Sequence, residues 1–164
     1  MDIERVVWVA AVGCVCAGLG FAAEEKYSGP RPPTPDLPYL VHADTLIATE
    51  AQQAREERHG KNDSVYIIAG AVSPARTPLA EPIFLFESDK ITAESLQLFR
   101  LEPKGGNREV VMGNRRSGHP LRVTVKPLGD RLYRIEVNEG LGLENGEYSL
   151  SPENSNAVFC FAVY

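Results

Sequence analysis

The clearest apolar pattern lies at the C-terminal end of the chain. Residues 143–150 alternate, with Tyr148 and Leu150 on one face and Glu147 and Ser149 on the other. Ser151-Pro152-Glu153-Asn154-Ser155-Asn156 is a polar break, and residues 157–164 are apolar almost throughout. Two extended runs around such a break predict a β-hairpin. The second run has too many apolar residues for one wet face, so it is expected inside a sheet, covered on both sides.

Upstream, the same alternation predicts strands over residues 39–48, 64–69, 96–102, 108–112 and 132–137. Leu121, Val123 and Val125 alternate with Arg122, Thr124 and Lys126, a half-buried strand. Ile83-Phe84-Leu85-Phe86 is apolar throughout and reads as a central strand. Residues 92–95 suit a turn or one helical turn. Thr49 and Gln52 are spaced as a capping box and Gly60 stands where a helix would stop, so residues 50–59 could form a short polar helix. With only alanines to dock it, the expectation is a solvated, mobile excursion. Residues 70–82 hold Pro74, Pro78 and Pro82 and read as a long loop. No βαβ rhythm, repeat or phosphate-binding glycine fingerprint is present. The expected fold is all-β, an antiparallel sandwich of about seven to nine strands.

Glu144-x-Gly146-x-Tyr148-x-Leu150 resembles the tyrosine corner of immunoglobulin-like and fibronectin-like sandwiches, with Leu150 where antibody domains keep a bridging cysteine. The resemblance implies an Ig-like β-sandwich in which Gly146 and Tyr148 are structural. The C-terminal pattern is also similar to that of uncharacterised exported bacterial proteins. Neither likeness brings a catalytic residue with it.

Residues 6–23 are uncharged and mostly apolar, and small residues precede Glu24-Glu25-Lys26. This predicts a signal peptide or membrane anchor over 1–23, a cleaved signal being preferred to an uncleaved anchor and to lipidation. Gly29-Pro30-Arg31-Pro32-Pro33-Thr34-Pro35 makes 24–38 a stiff spacer, and 39–164 the sandwich domain. The expected location is therefore periplasmic, extracellular or membrane-anchored facing outward, with membrane contact only through 6–23. A chain of 164 residues, 43% of them hydrophobic, has material for one core and not for two generous ones. Its net charge of −5 argues against nucleic acid as a partner.

Candidate chemistry is sparse. Of three cysteines, Cys160 alone lies outside the apolar leader and reads as a small buried hydrophobe. His42 and Asp44, two apart on a strand, are weak metal candidates, and His59 and His119 have no ligand spacing. Arg115 and Arg116, with His119, concentrate positive charge in an acidic chain and are the candidate binding residues. No cofactor motif, nucleophile elbow or metalloprotease signature occurs. The expectation is a non-catalytic binding or structural module of the cell envelope. Its partner would be an envelope protein or an anionic polysaccharide. The alternatives are a small hydrolase using a carboxylate pair, or a carbohydrate-binding sandwich with a row of exposed aromatics.

Overall fold

The computed structural model describes residues 27–59, 63–113, 118–138, 140 and 142–164. Their strands are β1 (Tyr39–His42), β2 (Thr45–Ala48), β3 (Glu50–Gln53), β4 (Arg55–His59), β5 (Asp63–Ala69), β6 (Arg76–Thr77) and β7 (Ile83–Glu87). After a 3-10 turn at Ala93–Ser95 come β8 (Leu96–Lys104), β9 (Asn107–Met112), β10 (Val123–Gly129), β11 (Leu132–Val137), β12 (Gly146–Pro152) and β13 (Ala157–Val163). The fold is all-β. Every pairing among the described residues is antiparallel except that of β6 with β13.

One sheet has the order β10-β11-β7-β1-β2, and the other runs β3-β13-β12-β8-β9-β5-β4 with β6 beside β13. The two pack face to face as in a β-sandwich. Leu40, Phe84, Phe86 and Ile135 from the first meet Leu98, Tyr148, Leu150, Phe159 and Phe161 from the second. Phe161 anchors this layer, with its ring edge-on to Phe84 at 5.0 Å and stacked on Tyr148 at 5.6 Å. The C-terminal hairpin forms as its alternation predicts, and β13 is buried along its length between β12 and β3. The Tyr148 hydroxyl donates to the Glu144 carbonyl at 2.9 Å, the geometry of a tyrosine corner. Gly146 is different: a Cβ there would meet only ordinary contacts at 3.7 Å, so the corner does not depend on a glycine at that position.

Residues 50–59 do not form a helix or a loose excursion. They are β3 and β4, one stretch of chain broken only at Ala54; β3 pairs with β13 and β4 with β5. The side chains that suggested a helix cap are used elsewhere. Thr49 donates to the Pro38 carbonyl at 2.7 Å, and the Gln52 amide donates to Glu50 and to the Ala69 carbonyl. Because β3 and β4 are continuous, the second sheet closes on itself. With that stretch counted as one strand, β3/β4, β13, β12, β8, β9 and β5 make a six-stranded barrel. Ala54, Ile68, Leu101, Val158 and Cys160 form a second buried cluster inside it. The chain thus builds two cores where its length predicts one, by giving both faces of β8 and β13 apolar side chains, while the barrel face of β12 is polar. These added elements, with β2 and β6, take the number of strands among the described residues to thirteen.

Residues 70–82 are not a free loop. β6 pairs with β13, and Ser73, Ala75 and Thr77 are buried, with Ala162 donating to the Ala75 carbonyl and Tyr164 to that of Thr77. The fold also takes hold of the proline segment already at Asp36. Its carboxylate accepts the backbone N–H groups of Asp89, Lys90 and Ile91 at 2.9 to 3.0 Å. No helix among the described residues is long and apolar enough to cross a membrane, and the segment 1–23 lies outside them.

Candidate functional site

Alternation places the even-numbered residues of β3, β4, β5 and β9, and the odd-numbered residues of β8 and β12, inside the barrel. At its closed end this brings Glu50, Arg108 and Glu147 together. Arg108 is fully buried and all five of its N–H groups are used. Nε donates to the Gly70 carbonyl at 2.9 Å; Nη1 reaches Glu50 at 2.8 Å and Glu147 at 3.4 Å. Nη2 donates to the Ala69 carbonyl at 2.9 Å and to Glu50 at 3.2 Å. The Ser73 backbone N–H donates to Glu147 at 2.9 Å, and its hydroxyl donates to the Cys160 carbonyl at 3.2 Å. This end is therefore stoppered by residues 69–73, tied down through one guanidinium.

Burial pushes the Glu50 carboxyl upward, but hydrogen bonds led by Arg108 outweigh it and hold it below its ordinary value of 4.5. Asp36 behaves alike: burial raises it, the three backbone N–H groups lower it further, and the net is below 3.8. Depressed folded-state values mean that both groups stabilise the fold above their unfolded values, and that this stability is lost as pH falls. The urea midpoint should hold steady near neutrality, begin to fall below about pH 4.5 for Glu50 and 3.8 for Asp36, and go on falling as the lower folded-state values are crossed. Asp36→Asn should flatten the lower part of that curve. An acid profile unchanged by Asp36→Asn would show that the carboxylate does not carry it.

The other end of the barrel is open. A cavity of about 480 Å³ enters between the β12–β13 connection and the ends of β4, β5, β8 and β9. Phe99, Ser149 and Val158 form its buried floor, and Tyr66, Val110 and Met112 form its wall. Glu56, Gln97, Ser151, Glu153, Asn154 and Asn156 ring the opening. The opening exists because β8 and β9 separate. Their ladder runs only from Lys104↔Asn107 to Glu102↔Glu109, although both strands continue. Residues 118–121 partly fill the gap, with Gly118 donating to the Val111 carbonyl at 2.6 Å and Leu121 to that of Leu98 at 2.7 Å. The rim is held on both flanks. Glu153 donates from its backbone to the Ser95 carbonyl at 2.9 Å, and Ala54 to the Asn156 carbonyl at 2.8 Å.

Arg115 and Arg116 lie outside the described residues, which stop at Gly113 and resume at Gly118. His119, next to Gly118, is exposed. His42 and Asp44 do not share a strand face. Ala43 and Asp44 form the β1–β2 turn, with Ala43 left-handed at φ 50°, while His42 Nε2 meets the Thr77 hydroxyl at 2.8 Å. No group of three or more metal-ligating side chains occurs among the described residues. Cys160 is a buried free thiol pushed up to about 12, first by burial. The sequence reading passed over Arg108 and the cavity. For Arg108 a signal existed, since Arg108, Val110 and Met112 alternate on one face and put a charge in an apolar row.

No family model matches this chain, and no curated protein or solved structure is significantly similar to it.

Proposed function

We propose that the domain is a non-catalytic ligand-binding module of the cell envelope, whose ligand enters the open end of the barrel. The observation that carries this reading is the cavity of about 480 Å³, a volume within the range of small-molecule sites, with a buried floor and a polar rim. A hydrolase using a carboxylate pair is the weaker reading. Glu56 and Glu153 both line the cavity, but both are exposed, and a general acid needs burial to keep its proton near neutral pH. The carbohydrate-binding platform also gains little support, because Tyr164 is the one exposed large aromatic among the described residues.

The domain is best read as Ig-like. The order β10-β11-β7-β1 matches strands D-E-B-A of that family and β13-β12-β8 matches G-F-C, with the tyrosine corner at the start of β12. On this reading β2 to β6 are an insertion between A and B and β9 one between C and D, and β3, β4, β5 and β9 together curl the second sheet into the barrel. The ligand site is then an addition to a common scaffold.

Titration of a small-fragment library into ¹⁵N-labelled protein tests the proposal. Amide shifts should cluster on Tyr66, Val110 and residues 151–158. Fragments that map elsewhere, or none that bind, would refute it. The export part rests on residues 6–23 and is checked by N-terminal sequencing from the native host. A chain beginning at Ala23 or Glu24 is expected, and an intact Met1 on membrane-bound protein would favour an anchor. An anionic envelope polymer at Arg115 and Arg116 is proposed from their charge in the sequence alone.

A further inference from the structure

We infer that the open cavity takes an alcohol or phenol, a compact apolar molecule whose hydroxyl docks on Ser149 and Ser151. The inference rests on the cavity being the ligand site and names what fits its floor. The lining is divided. Glu147, Ser149 and Ser151 alternate along β12 toward the barrel interior, and the two serines line the cavity from floor to opening. Around them stand Phe99, Val158, Tyr66, Val110 and Met112. In the barrel order β5, which carries Tyr66, lies opposite β12. A molecule in the cavity therefore meets hydroxyls along one edge and apolar side chains along the other.

The serine pair is short of partners. Ser149 is 1% exposed, and its register partners are Phe99 on β8 and Cys160 on β13. Its side-chain hydrogen bond runs instead along its own strand, to the Ser151 hydroxyl at 3.3 Å. Two hydroxyls joined by one bond keep one O–H and several lone pairs to offer. A buried hydroxyl in that condition costs free energy until water or a ligand completes it. A ligand hydroxyl both donates and accepts, so it takes up both kinds of site, whereas an ether or ketone only accepts. The pair is also held in place. β12 is bonded to β8 from Glu147 to Pro152 and to β13 from Gly146 to Leu150, so little ordering is needed on binding.

Phenol and toluene share size and shape and differ in the hydroxyl, so together they isolate it. Dissociation constants for both are measured by NMR titration of the full ¹⁵N-labelled chain. A purely apolar pocket favours toluene, because a buried hydroxyl without a partner is penalised. Here phenol should bind about five-fold tighter than toluene, with amide shifts at Phe99, Ser149 and Val158. Ser149→Ala with Ser151→Ala should reverse the order, toluene then binding tighter. Ser151→Ala alone, at a half-buried position, should narrow the preference to about two-fold, and it keeps the test open if the double variant does not fold. Toluene binding as tightly as phenol, or tighter, in the wild type would overturn the hydroxyl argument while leaving the cavity as a site. A phenol preference unmoved by the serine variants would overturn the assignment to Ser149 and Ser151. Binding of neither at the cavity would overturn the inference as well, and the fragment titration then decides separately whether the cavity is a site.

Discussion

Arg108→Met should cost about 3–5 kcal/mol of stability, the largest effect expected from a single substitution in this chain. Methionine matches much of the volume, so the loss is not one of packing. The Arg108 side chain is fully buried, and Glu50 and Glu147 are 17% and 8% exposed at their side chains. Without the guanidinium, two carboxylates face each other out of water, and the Gly70 and Ala69 carbonyls lose their donor. Replacing Glu50 and Glu147 by glutamine in the same background should recover part of the loss, because the uncompensated charge is then gone. Urea unfolding of the single and triple variants measures both. A cost below about 1 kcal/mol for Arg108→Met would place the guanidinium in water, contrary to the cluster described.

Tyr148→Phe comes second, at about 1–3 kcal/mol. The ring stays in its stack on Phe161, and only the hydroxyl donating to the Glu144 carbonyl is removed. The carbonyl sits at the entry to β12, where a lost partner would also loosen the strand's first pairs with β8 and β13. A urea midpoint equal to wild type would show the hydrogen bond to be idle and would remove a main support of the Ig-like reading.

The elements most legible in the sequence are those whose neighbours are near in the chain. The β12–β13 hairpin reads directly from alternation around Ser151-Pro152-Glu153-Asn154-Ser155-Asn156, and β7 from four apolar residues in a row. The strands β3 and β4 are the opposite case. Glu50 is stabilised by Arg108, 58 residues on, and the alternation Glu50, Gln52, Ala54, Glu56 faces a barrel interior that later strands complete. Locally the stretch looks like a short helix, and tertiary pairing overrides that signal. The cavity was not legible at all. It arises where β8 and β9 part, and no single segment encodes that separation.

Closure of the barrel through Ala54 is the claim on which the buried cluster and the cavity both depend. Amide hydrogen exchange along residues 50–59 tests it most directly. Paired to β13 on one side of Ala54 and to β5 on the other, the amides of this stretch that donate within the ladders should exchange slowly, in step with those of residues 146–163. Arg108→Met should speed exchange across 50–59 and 69–73 before it affects residues 83–87 of the sandwich sheet. If residues 50–59 exchange at unprotected rates in the wild type while 146–163 stays protected, the barrel is open and the cavity at its mouth does not exist.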